Sequence, residues 1–163
     1  MGLIPRPLWA LYRTAPVCSH AENMARDSRG EGSDPLSRGS SVGGCRPVFP
    51  ITLLDNPPAE ATYVIREDFG PLRAVIKYRN LDETVRLANG TAYGLGASVW
   101  GTDPESLDAV ARRLDAGTVW INQHLNVHPN IPFSGYKNSG IGIEFGEDGL
   151  KEFCNVQVIA NKR

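Results

Sequence analysis

No apolar stretch in this chain approaches the roughly 20 residues that a membrane-crossing helix needs, so no membrane partner is expected. The segment Leu8-Trp9-Ala10-Leu11-Tyr12 is too short for a signal-peptide core, and Pro5 and Pro7 flank it. Arg6 and Arg13 precede the first acid, Glu22, faintly in the manner of a transit peptide, but the prolines break the amphipathic helix such a peptide needs. Neither charge predominates: 17 Lys and Arg against 18 Asp and Glu leave a formal net of −1. That removes the basic footprint of a nucleic-acid binder and any reason to expect an acidic substrate. Cysteine is scarce. Cys18, Cys45 and Cys154 are odd in number and irregular in spacing, so they form neither a disulfide framework nor a zinc set. A reducing compartment, the cytoplasm, is the expectation.

The even charge hides a division. Residues 1–46 carry a formal +2 and residues 47–163 a formal −3. Between Ser19 and Gly44 the chain is Ser, Gly, Arg and Asp with almost no large apolar side chain. Such a composition buries too little surface to offset its ordering entropy. Residues 1–46 are therefore expected to be a disordered or unrelated leader, and residues 47–163 a folded segment beginning near Pro47-Val48-Phe49-Pro50.

The folded segment alternates strand and helix signals. Ala74 to Tyr78, Ala97 to Trp100 and Thr118 to Asn122 are short runs rich in β-branched and aromatic residues and read as strands. Leu81 to Gly90 reads as a helix with Leu81, Val85 and Ala88 on one face and Asn89-Gly90 as its stop. That stop is also the better reading of Asn89-Gly90-Thr91, which matches a glycosylation pattern. Thr102-Asp103-Pro104-Glu105 opens a second helix with a capping oxygen and a proline at its first position. Leu107, Val110, Ala111 and Leu114 form its buried stripe. Gly146 to Phe153 reads as a short helix and Val156 to Ile159 as a last strand. Strand, helix, strand, helix, strand implies an α/β fold with parallel strands. Three strands cannot cover their own faces and edges, so Trp100 and Trp120 are expected to be partly exposed and the sheet to belong to a larger one.

Two motifs remain. Pro132-Phe133-Ser134-Gly135-Tyr136-Lys137-Asn138-Ser139-Gly140-Ile141-Gly142-Ile143-Glu144-Phe145-Gly146 interleaves glycines with apolar residues. It reads as backbone threading a tight packed site. Its Gly140-Ile141-Gly142 lacks the preceding strand and third spacing of a dinucleotide fingerprint. Glu67-Asp68-Phe69-Gly70-Pro71 sets a carboxylate and an aromatic beside a Gly-Pro turn, equally readable as a surface Glu and a core Phe. His124 and His128 are four apart, but Pro129, Pro132 and neighbouring asparagines place them in a loop, so no metal site is expected.

Together with Asn56-Pro57-Pro58, Leu87-Ala88-Asn89, Tyr93-Gly94-Leu95-Gly96-Ala97-Ser98-Val99-Trp100, Ala116-Gly117-Thr118-Val119-Trp120-Ile121-Asn122 and Gly149-Leu150-Lys151-Glu152-Phe153, these motifs resemble the C-terminal portion of an NAD(P)-dependent aldehyde dehydrogenase, in the family's order and spacing from Pro47 to Ile159. The resemblance implies a fragment of that catalytic domain: a three-layer parallel-sheet arrangement ending in an oligomerisation strand. It implies that Glu67 holds the ribose hydroxyls of NAD or NADP and that Phe69 supports the nicotinamide ring, although Asp68 stands where the family has an apolar residue. It implies that the loop from Gln123 to Phe133 lines the aldehyde's access tunnel, with Leu125, Val127 and Phe133 as pocket walls.

The family's reaction needs a cysteine thiolate to attack the carbonyl and a base to activate water. Both, in the family, lie upstream of the matched region. Gly43-Gly44-Cys45-Arg46-Pro47 does not match the nucleophile motif, and Cys154 reads as a small packing residue. No catalytic residue is assigned. The expectation is a dehydrogenase segment without turnover of its own. The alternative is a non-catalytic interaction module that pairs, as a homo-oligomer or with a full-length dehydrogenase, through Val156 to Ile159.

Overall fold

The computed structural model describes residues 23, 35–38, 51–66, 70 and 72–162. The chain divides into two compact units, Met1–Tyr78 and Arg79–Arg163.

In the first unit, β1 (Pro35–Arg38) pairs antiparallel with β2 (Thr52–Asp55), and β2 pairs parallel with β3 (Leu72–Val75). The helix α1 (Thr62–Ile65) lies between β2 and β3 in the chain. Alternation along β2 buries Thr52 and Leu54, and Leu54 joins Ala61, Tyr63 and Leu72 in a small core with Val64 against it. Asn56 ends β2 with a φ of 46°, a turn conformation asparagine tolerates. Its N–H donates to the Val75 carbonyl at 2.7 Å, and its side-chain oxygen accepts from the Lys77 N–H at 2.9 Å. This clasp closes β3 at Val75, so the strand lies earlier than the expected Ala74 to Tyr78, whose last residue is exposed. β1 falls inside the segment expected to be disordered. An edge strand pairs through backbone hydrogen bonds, which apolar content does not report.

In the second unit, α2 (Leu81–Ala88) is capped by Asn80, whose side chain accepts from the Glu83 N–H at 2.8 Å, while the Glu83 carboxylate accepts from the Arg79 N–H at 3.0 Å. Of its expected face only Val85 is buried; Leu81 and Ala88 are exposed. After β4 (Tyr93–Gly94), β5 (Gly96–Val99) leads through α3 (Pro104–Ala111) to β6 (Thr118–Ile121), and β5 and β6 pair in parallel from Gly96↔Thr118 to Val99↔Ile121. Leu107 and Val110 of α3 are buried as expected. Trp100 is exposed, but Trp120 is 4% exposed and belongs to the core, contrary to expectation, because the chain after β6 folds back over its ring. The strands expected to form one sheet fall into separate sheets: β5 and β6 pair with each other, while β3 takes β2 as its parallel neighbour, a strand the sequence reading did not mark. β7 (Phe133–Ser134), β8 (Tyr136–Lys137) and β9 (Ile143–Glu144) follow, then α4 (Gly146–Lys151). Val156 to Ile159 forms no strand among the described residues, and Val156 and Ile159 are 92% and 85% exposed.

Asp103 caps α3, its carboxylate accepting from the Ser106 hydroxyl and from the Ser106 N–H. The hydroxyl bond first, then the backbone bonds, hold this carboxyl below its ordinary value. The cap's contribution is therefore complete above the ordinary aspartate value of about 4 and is lost as pH falls through the lower folded value. Helical signal in circular dichroism should drop in that acid range, and Asp103→Asn, which keeps an acceptor but does not titrate, should make that part of the loss pH-independent.

Candidate functional site

The glycine-spaced run folds back on itself. β7 pairs antiparallel with β9, Phe133↔Glu144 and Ser134↔Ile143, and β8 pairs antiparallel with β4, Tyr93↔Lys137 and Gly94↔Tyr136. Ser139 donates its N–H to the Tyr136 carbonyl, and Gly140 turns the chain with a φ of 123°. Ser134 passes so close to Gly117 that a side chain at 117 would overlap its carbonyl oxygen. This crossing explains why the Ala-Gly-Thr motif carries glycine at 117.

Lys137 locks the crossing. Its ammonium donates to the carbonyls of Asn89 at 2.8 Å and Thr91 at 3.3 Å and pairs with Asp115 at 3.2 Å. Asn89, in turn, donates to the Arg113 carbonyl and accepts the Asp115 N–H. The Leu-Ala-Asn, Ala-Gly-Thr and Gly-Tyr-Lys motifs thus meet at one point, and Asn89 is the helix stop expected of it.

Beside the folded run lies an open cavity of about 720 Å³. Its apolar wall is Leu95, Phe133, Ile143, Phe145 and Phe153; Ser134 and Ser139 supply hydroxyls, and Glu144 and Glu152 supply carboxylates. Such a surface suits an apolar organic tail with a polar head. Phe145 holds φ 63° and ψ 168°, a region almost confined to glycine, and Gly146 follows at φ 64°. The Gly146 N–H donates to the Pro129 carbonyl at 2.9 Å, and the Pro132 ring stands where a side chain at 146 would begin.

Of the expected site residues, Phe133 lines this cavity. Leu125 and Val127 do not; they are 66% and 42% exposed in the loop of residues 123–132. Glu67 and Phe69 lie outside the described residues. His124 meets the Trp120 ring edge-on at 5.6 Å, and His128 accepts the Asn130 N–H through Nδ1. Among the described residues no group of His, Cys, Asp or Glu could hold a metal. Cys154 is exposed, and its thiol faces the Leu150 carbonyl at 3.6 Å. The sequence reading missed Leu95, Ile143, Phe145 and Phe153. The apolar residues between the glycines were the available signal, but alternation alone does not say which of them face one cavity.

Gly117→Ala should disrupt the crossing, lowering stability by about 1–3 kcal/mol in urea denaturation. Lys137→Met should cost about 1–2 kcal/mol, since it strands two carbonyls and a carboxylate that are only partly solvated.

Over residues 17–159 the chain matches the aldehyde dehydrogenase family. The match begins well before residue 47. A succinate-semialdehyde dehydrogenase [NADP(+)] of Deinococcus radiodurans is 39% identical over 155 residues, covering 90% of this chain and 32% of that protein. Among solved structures, betaine aldehyde dehydrogenase from Staphylococcus aureus in complex with NAD+ superposes with a TM-score of 0.80 at 30% identity, covering 86% of this chain and 28% of that one. Lactaldehyde dehydrogenase from Escherichia coli gives 0.82 at 27% identity, covering 90% and 31%. The chain spans less than a third of the length of these relatives. No helix among the described residues is long and apolar enough to cross a membrane. The tight crossing at Gly117, the folded glycine run beside its cavity and the match over residues 17–159 make this α/β chain a member of the aldehyde dehydrogenase family.

Proposed function

We propose that this chain supplies one wall of the substrate and nicotinamide sites of a cytoplasmic, NAD- or NADP-dependent aldehyde dehydrogenase that oxidises an aldehyde to a carboxylic acid. The observation that carries the reading is the cavity beside the glycine run, with Phe133 in its apolar wall within a chain of this family. Phe133, joined by Leu95, Ile143, Phe145 and Phe153, packs against the aldehyde's apolar tail. Leu125 and Val127, exposed in the preceding loop, would meet the tail as it enters.

Glu67 and Phe69 are the residues that would hold the cofactor. A carboxylate is an acceptor for two ribose hydroxyls, and an aromatic face supports a flat ring, so the pair suits the group chemically. Bound nicotinamide would take up the hydride. None of the cysteines in these 163 residues sits in a nucleophile motif. The 163 residues on their own therefore bring positioning and not turnover, and the thiolate comes from elsewhere in the working enzyme.

The purified chain, mixed with NAD or NADP and a panel of aliphatic and aromatic aldehydes, should form no reduced cofactor. Measurable reduction dependent on aldehyde would refute the proposal. In an enzyme assembled with this segment, Phe133→Ala should weaken aldehyde binding by about tenfold or more, from the loss of buried aromatic surface.

A second reading is favoured by the C-terminal residues. Val156, Val158 and Ile159 are 84–92% exposed and unpaired among the described residues, in a β-prone stretch without charge. As an added strand on the sheet edge of a second copy, or of a full-length dehydrogenase, they would make the chain an assembly module. Val158→Lys should abolish co-purification with such a partner in size-exclusion chromatography; equal co-purification of this variant would count against the second reading.

A further inference from the structure

We infer that Trp120 is the positioning residue of the cavity: its indole fixes the loop of residues 123–132, and the loop in turn holds Phe145 and Gly146 in their unusual backbone conformations. The loop needs such an anchor. Every residue from 123 to 132 is exposed, so the loop gains no order from burial of its own side chains. Besides short-range hydrogen bonds of its own, from Asn126 to Gln123 and from Asn130 and Ile131 to His128, it has a set of contacts to one buried ring. The Trp120 Nε1–H donates to the Asn126 carbonyl at 2.9 Å. The ring meets His124 edge-on at 5.6 Å and Phe133 at 6.5 Å with a 35° tilt. One side chain therefore touches the loop near its start, at its middle and just past its end. Asn122 fixes the take-off: its side chain accepts from the Gly101 N–H at 2.9 Å and donates to the Gly101 carbonyl at 3.0 Å.

The far side of the loop carries the effect onward. The Pro129 carbonyl accepts the Gly146 N–H, and Pro132 packs against the Gly146 Cα. Phe145, immediately before, keeps a φ and ψ that a side-chain-bearing residue leaves unless its surroundings hold it. Phe133 and Phe145 both line the cavity. The indole thus touches one of these walls directly and reaches the other through the loop. The loop's part in the site is then mechanical, carried by its Asn126 and Pro129 carbonyls more than by Leu125 or Val127. The consequence for aldehyde selection rests on the reading above; the coupling itself does not.

Amide hydrogen exchange on the full 163-residue chain, read by NMR, tests it. Two variants are compared with the parent: Trp120→Phe, and a chain with β-(3-benzothienyl)alanine at position 120, which keeps the ring's shape and lacks the N–H. In both, the Gly146 and Ile131 amides should exchange at least about tenfold faster, while the Thr118 and Asn122 amides, which donate to the Leu95 and Val99 carbonyls, keep their protection. Unchanged Gly146 exchange in the isostere would overturn the inference. So would an equal loss at Thr118 and Asn122, which would make Trp120 an ordinary core residue. Should Trp120→Phe fail to fold, the isostere decides alone. The exchange result is independent of turnover, so a failure of the aldehyde reading and a failure of this coupling are told apart.

Discussion

The approach of the Ser134 carbonyl to the Cα of Gly117 is the constraint on which the second unit's site depends. Two segments of backbone pass closer than any side chain allows. Once they do, β8 lies beside β4, and Lys137 comes within reach of Asn89, Thr91 and Asp115. The ammonium then satisfies carbonyls left over at the end of α2, where a helix lacks its own donors. A contact that looks like a steric detail therefore decides where the whole glycine run sits, and with it the wall formed by Phe133, Ile143 and Phe145.

The wall is built by an economy of buried groups. In the second unit Val85, Leu107, Val110 and Trp120 are the buried large apolar side chains, while many others remain exposed. Hydrophobic burial alone cannot order the long loop after β6. Directed contacts take its place: an indole hydrogen bond, an asparagine clasp at Gly101 and a backbone bond from Gly146. Such contacts specify geometry more sharply than they add stability. That suits a surface whose work is to hold a few rings in place.

The sequence made the helices and the parallel β5–β6 pair legible because their signals are local. Asp103-Pro104 announces a helix start, and Leu107 and Val110 announce its inward face. It misled at Leu81 and Ala88, where spacing named a face that the packing leaves in solvent. It was silent on β1 and β2, since their pairing spans residues with little in common but backbone hydrogen bonds. The same limit applied at the site. Phe133 was found through its motif, whereas Phe145, in the same run, and Leu95 and Phe153, in other stretches, are brought beside it only at the cavity.

What the sequence determined by itself was kinship: ordered motifs at fixed spacing are a linear property and need no folding to be read. It also placed glycine where backbones must nearly touch, though not which backbones. Only the tertiary structure decided that Trp120 is buried, that Leu125 and Val127 face solvent, and that Phe145 keeps a backbone conformation natural to glycine. Those facts depend on what lies across space from each residue. A side chain's burial and a backbone's strain are set by neighbours that the chain brings together only when it folds.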